Sequence, residues 1–448
     1  MRVLTIAGRW LAAVLGLSVL CIVLLLGFFN PNARRNEIQT WVSEQTGRRF
    51  TLDGELGWQM WPRLAVTLPR MQLGAAPGDA RTGKTSGPFA EWQQASISVR
   101  LWPLLRGRLE FGAGQLRGVR VRLQRDAAGR NNWQDLLQRL DQERPPGRFQ
   151  FANLAGFQME DAEFSFEDAV TRRITTLRID LLSTTAVAFN QPIGLTLKAR
   201  VGSTASSDPS QLQTIAAPFT LAMQVQTDAA LQQWQVNDLQ FAAQLTTTGA
   251  TGQAINALPV SLQLQHAEAH IERQLMLHAV QMVAGEARLT ADQVQVTRLR
   301  DAPRVEAGLQ LDAPSLRRGL QQWAINVPGT RDATVLQHLS AHLQVMGSAA
   351  DLQVQVKSLL LDDTRLSGMA RWRRAGNQTR YTVDMRADQL DLDRYLPAAS
   401  SGDSRQAAAT PVPLDWLRSL HAQGRLQIDA ARWQGIRAHQ LTITLDGM

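Results

Sequence analysis

The chain has a single cysteine, two tyrosines and three lysines (Lys84, Lys198 and Lys357) in 448 residues. One cysteine, Cys21, excludes an intrachain disulfide and a thiolate metal cluster. Lysine scarcity means that the net charge of +8 is carried by arginine. Those arginines are scattered rather than run together, which argues against a nucleic-acid partner. Catalytic signatures are missing as well: no serine sits in a G-x-S-x-G elbow, and the glycines of "FGAGQLRG" precede no helix, as a dinucleotide site requires. His266 with His270 and His338 with His342 are spaced four apart, which suits a metal only on a helix; in a strand four residues span about 13 Å, too far for one ion. Asp362 and Asp363 point to opposite sides of a strand, so they read as a turn rather than an acid–base pair. Neither enzyme chemistry, nor a metal, nor a cofactor is expected.

What the sequence does contain is alternation. From Phe50 to Leu68 the even positions are apolar (Phe50, Leu52, Leu56, Trp58, Met60, Leu64, Val66, Leu68), and the odd ones include Arg49, Asp53, Glu55 and Arg63. Period two means strands with one apolar and one polar face. The pattern returns in "SISVRLW" (96–102), "GVRVRLQR" (118–125), "AEFSFED" (162–168), "IGLTLKARV" (193–201), "PVSLQLQ" (259–265), "VEAGLQLD" (305–312) and "DLQVQVKSLLLD" (351–362). Helical spacing is confined to a segment after Pro31 with Ile38, Trp41 and Val42 that stops at Gly47, to 131–140, and to 313–325. Strands without intervening helices imply antiparallel pairing. The expected fold is mainly β, a long, curled antiparallel sheet with a few short helices.

Trp10 to Phe29 forms an uncharged apolar run of about the 20 residues needed to cross a bilayer, with no small-x-small cleavage site after it, and reads as an uncleaved membrane anchor. The expected organisation is an anchor over 1–30, a helix-plus-sheet region over 31–145, a sheet body over 146–397, a loop over 398–413 and a further β region over 414–448. Roughly 400 residues of strand exceed one sandwich or barrel, so the apolar faces need a cover other than a second sheet. A groove filled by acyl chains supplies one. The residues expected to line it are Val99, Leu101, Phe164, Phe166, Leu195, Leu197, Leu262, Leu264, Leu309, Leu311, Val354 and Val356. Arg120 and Arg122, on the polar face of one basic strand, are candidates for headgroup contact, against a plainer role as solvated charge.

The N-terminal run, "TGRRFTLDGELGWQMWPRLAVTLPRMQLG" and "GRNNWQDL", followed by "LLLDDTRLSGMARW" and "LDLDRYLP" (390–397), resemble the AsmA family of bacterial inner-membrane proteins. The resemblance implies an inner-membrane anchor, a periplasmic body and a part in outer-membrane biogenesis. It also implies likeness to bridge-like lipid-transfer proteins, which hold acyl chains in a curled sheet. The expected partners are therefore the membrane and phospholipid; the rival expectation is a scaffold that aids assembly of outer-membrane proteins or lipopolysaccharide.

Overall fold

The strand run that begins at Phe50 finds its cover in the helix that precedes it. Helix α1 (Arg35–Thr46) ends at Gly47, whose φ of +64° suits a glycine after a helix C-terminus. Its Ile38 and Val42 pack on a core of Phe50, Leu52, Met71, Leu73, Ala90 and Ala95. The computed structural model describes residues 32, 35–59, 65–75, 87–99, 111–142, 155–205, 214–248, 254–323, 327, 329–375, 378–395 and 422–446. The predicted anchor Trp10–Phe29, Leu101, and the predicted loop at 398–413 lie outside these residues. Among the described residues no helix is long and apolar enough to cross a membrane.

The chain divides into two compact units, Met1–Asp180 and Leu181–Met448. In the first, β1 (Phe50–Asp53) pairs with β4 (Arg70–Leu73), and β2 (Gly57–Gln59) pairs with β3 (Ala65–Leu68). Strands β5 (Ala90–Trp92), β6 (Gln94–Val99), β7 (Phe111–Arg117) and β8 (Arg120–Arg125) extend the sheet. Helix α2 (Gln134–Gln142) then leads to β9 (Phe157–Asp168), which lies parallel to both β7 and β8. The division between units falls inside β10 (Arg173–Thr184).

The second unit is a succession of long strands: β11 (Ile193–Ala205), β12 (Thr214–Thr227), β13 (Gln233–Thr248), β14 (Ala254–His270), β15 (Gln274–Ala284), β16 (Ala287–Thr297) and β17 (Arg304–Ala313). After helix α3 (Leu316–Gln322) come β18 (Leu339–Ser348), β19 (Asp351–Leu361), β20 (Thr364–Ala375) and β21 (Gln378–Asp391). A four-residue helix α4 (Leu392–Tyr395) precedes β22 (Ala422–Trp433) and β23 (Ile436–Asp446). Neighbours in this series pair antiparallel except β21 with β22, which pair parallel. The wholly antiparallel expectation is corrected here: the sheet is mixed. The cause is chain length, since 30 residues separate β21 from β22 and 31 separate β8 from β9, enough for the crossover a parallel pair needs.

The most specific words of the sequence meet as structural ties. Arg48 of "TGRRF" is 2% exposed, and its guanidinium grips Asp135 of "GRNNWQDL" through Nε at 3.0 Å and Nη2 at 2.6 Å, beneath the Phe89 ring. The Asn132 side chain closes the same region, accepting from the Gln124 N–H and donating to the Arg122 carbonyl. In "DDTRLSG", Asp362 and Asp363 form the two-residue turn between β19 and β20, with Asp362 at φ +51°. The Asp362 carboxylate accepts backbone N–H bonds from Leu336, Gln337 and His338 and the hydroxyl of Tyr395. Arg394, beside that tyrosine in "LDLDRYLP", donates to Asp363 at 2.6 Å and Asp332 at 2.7 Å. Asp393 accepts the N–H groups of Gln434 and Gly435 in the β22–β23 turn.

Burial pushes the Asp362 carboxyl up, but its three backbone N–H donors and Tyr395 outweigh that and leave it below the ordinary carboxylate value of 3.8. Asp332 is held at about 2 by the Thr334 hydroxyl and N–H and then by Arg394. Both groups therefore stabilise the folded chain above pH 3.8, and the contribution drains away as pH falls below it, toward 2 for Asp332. Replacing Asp362 with Ala strands several donors and should cost about 2 kcal/mol in denaturant unfolding. Asp362→Asn should cost less and flatten acid unfolding in that window; equal losses in the two variants would show that the turn, not the carboxylate, is the tie.

Candidate functional site

Directly opposed residues on paired strands share a face of the sheet, so register identifies a surface. One row can be followed through every strand of the second unit: Leu197, Leu221, Phe241, Leu262, Met282, Leu289, Leu311, Ala341, Leu359, Leu366, Ala387, Ile428 and Leu441, from β11 to β23. All thirteen are apolar. The adjacent row on the other face runs Gln240, Gln263, Gln281, Thr290, Gln310, His342, Ser358 and is polar throughout. Twelve interstrand spacings of about 4.8 Å make the apolar row roughly 58 Å long, measured across the strands.

Further rows lie parallel to it. Val236, Ala267, Leu277, Val294, Ala307, Val345, Val354, Ala370 and Val383 form one across nine strands. Leu309, Leu343, Val356, Gly368, Met385, Leu426 and Ile443 form another. Small residues oppose large ones at several places on this face, as in Val280 opposite Ala291 or Leu366 opposite Ala387, which lets neighbouring strands incline toward one another without crowding. The face is not sealed. Met282 is 38% exposed and Ile443 40%, while the tie around α3 buries Ala313, Val335 and Ala341 almost completely.

Between the first two of these rows the alternation breaks coherently. Asn237–Asp238, Gln265–His266, His278–Ala279 and Asp292–Gln293 are doublets between apolar residues, and Asn237, His266, His278 and Gln293 oppose one another across four strands. Asp238 and Ala279 have φ near +52° and +53°, the local twist that lets Leu239 and Val236, or Val280 and Leu277, return to the same side. Leu264 and Ala267 flank the β14 doublet and are both buried, at 8% and 6%. Outside, His266 bonds Asn237 at 2.6 Å and Glu268 at 2.9 Å, and its ring lies 5.9 Å from that of His278. The four-residue spacing with His270 brings no metal set together: among the described residues no group of three or more His, Cys, Asp and Glu side chains is placed to hold an ion.

The structure thus gathers Leu195, Leu197, Leu262, Leu264, Leu309, Leu311, Val354 and Val356 onto one face. The candidates of the first unit stand apart from them in the chain's division. Phe164 and Phe166 of β9 oppose Val121 and Leu123 of β8, and Phe166 meets Trp133 edge-on with ring centroids 5.8 Å apart. Val99 ends β6. Arg120 opposes Glu91 and Glu163, and Arg122 approaches Glu91 at 3.7 Å while half exposed, so both arginines have acidic neighbours. Sequence reasoning missed the members supplied by β12, β13, β15, β16, β18 and β20 to β23. Met282 was hidden by the doublet four residues earlier, which shifts the phase of β15.

A family model described as the AsmA family matches residues 2–415. The curated Protein AsmA of Escherichia coli (strain K12) is 30% identical over 113 residues, which is 24% of this chain and 17% of that protein. The matched stretch therefore spans under a fifth of that relative's length.

An alanine at φ +53° is strained, whereas glycine is not. Ala279→Gly should raise stability by about 0.5 kcal/mol, the strain relief being partly offset by glycine's greater freedom when unfolded. A fall of 1 kcal/mol or more, on the same scale of principle, would show that the methyl group packs. Denaturant unfolding of the two proteins measures it.

Proposed function

The chain belongs to the AsmA family, and from that membership together with the thirteen-strand apolar face we infer that it is a non-enzymatic lipid-binding protein of the bacterial envelope. In this reading Trp10–Phe29 anchors it in the inner membrane, the two units lie in the periplasm, and the apolar face holds or conducts phospholipid toward the outer membrane. The carrying observation is the unbroken apolar row from Leu197 to Leu441, with large side chains such as Met282 left part-exposed. Acyl chains match such a surface because they are apolar, linear and indifferent to register, so a row of mixed Leu, Met, Ala and Ile serves as well as any fixed pocket. Neither nucleic acid nor a cofactor has a place in this account.

The rival reading is a scaffold for assembly of outer-membrane proteins or lipopolysaccharide through protein contacts. It draws on β23, which pairs only with β22 among the described residues and exposes Ile436, Leu441 and Ile443. The two readings differ in what travels with the purified protein.

Two substitutions on one face make the test. Leu264 is buried, so Leu264→Glu should cost about 3 kcal/mol whatever the function. Met282 is part-exposed, so Met282→Glu should leave the melting temperature nearly unchanged yet strip co-purified phospholipid, read by native mass spectrometry of the full chain released from detergent. Retained lipid in a folded Met282→Glu protein, or no lipid in the parent protein, would refute the lipid reading and favour the scaffold.

A further inference from the structure

The hairpin of β20 and β21 ends in a charge arrangement that the fold itself does not call for. Arg373 and Arg380 are direct cross-strand partners, and both are exposed. Like charges placed so are unfavourable. Arg374, one residue further toward the tip, is also exposed. Among the described residues only Asp351 offsets this group, and it is committed first to Arg371, at 2.7 and 2.6 Å, with Arg373 more distant at 3.6 Å. Among the described residues Arg374 and Arg380 have no ion-pair partner. Edge protection does not account for Arg373 and Arg374, because β20 is flanked by β19 on one side and β21 on the other.

On the adjacent rung, facing the other way from Arg373 and Arg380 and the same way as Arg374, the residues are aromatic. Trp372 opposes Tyr381, which is 36% exposed. Guanidinium groups beside an amphipathic aromatic pair are the side-chain set that settles at a membrane–water interface: the cations meet anionic headgroups and the rings lie at the level where headgroups give way to tails. We propose that the tip of the β20–β21 hairpin docks on an anionic lipid bilayer. The bilayer supplies the counter-charge that Arg373, Arg374 and Arg380 lack, and receives Trp372 and Tyr381 alongside them. The proposal stands whether or not the apolar face holds lipid.

The test uses the full chain reconstituted in phosphatidylcholine nanodiscs and mixed with free vesicles of phosphatidylcholine alone or of phosphatidylcholine with phosphatidylglycerol. Vesicles containing phosphatidylglycerol should carry the protein upward in a flotation gradient, and added salt should release it. Changing Arg373, Arg374 and Arg380 together to Gln should lower the partition by on the order of a hundredfold, without a change in melting temperature. Trp372→Ala with Tyr381→Ala should also weaken flotation, but leave its salt dependence in place. Flotation with neutral vesicles alike, or an equal loss when Arg288, Arg318 and Arg365 are changed instead, would reduce the effect to general attraction and overturn the proposal. Self-association abolished by the triple change, with no vesicle binding, would assign the tip to a second copy and overturn it equally.

Discussion

A sheet with one apolar face must hide that face, and in the second unit this requirement governs everything else. The row from Leu197 to Leu441 crosses thirteen strands, and no facing sheet covers it among the described residues. At about 25 cal/mol per Å² of apolar surface, leaving even part of such a face to water is a standing penalty that association with another apolar body removes. The protein lessens it from within by setting alanine opposite larger residues and by packing α3 and the segment around Val335 over one end of the strands. Ala387 and Ile428 are buried as well, whereas Met282 and Leu441 stay part-exposed. An open apolar face beside a polar face rich in glutamine is stable in water only as far as the strands shield one another, and it is ready for a ligand that needs no directional bonds.

The charged ties keep that face continuous. Asp362, Arg394, Asp332 and Asp393 act at the ends of strands, where turns and connecting segments would otherwise be free to splay. Arg48 and Asp135 do the same in the first unit by joining the turn after α1 to the start of α2. The sequence words that make the chain resemble its family are thus the words that hold its strand ends. Asp362, saturated by three N–H groups and a tyrosine hydroxyl, acts there as a fastener.

Period-two alternation made most of this legible before any coordinates. Leu195, Leu197, Leu262, Leu264, Leu309, Leu311, Val354 and Val356 were chosen by phase alone and share a face. The helix ending at Gly47 was equally plain, as was the turn at Asp362–Asp363, because glycine and aspartate signal those conformations locally. Three features were not legible for physical reasons. Parallel pairing of β21 with β22, and of β9 with β7 and β8, depends on where a connection returns, which no local pattern encodes. Helix α3 is shorter than the 313–325 pattern because only Leu316–Gln322 sustains helical bonding before Trp323. The coherent phase shift at Asn237–Asp238 and its neighbours reads in one strand as an irregularity, and becomes a feature only when four strands are laid side by side.

The central claim is that one side of these strands meets acyl chains and the other does not, and adjacent residues of a strand separate the two sides. A photoreactive benzoyl-phenylalanine placed in living cells at Leu262, Leu309 or Val354 should crosslink to lipid carrying radiolabelled phosphate, while the same group at Gln263, Gln310 or Gln355 should not. Label on both sets, or on neither, would contradict the account.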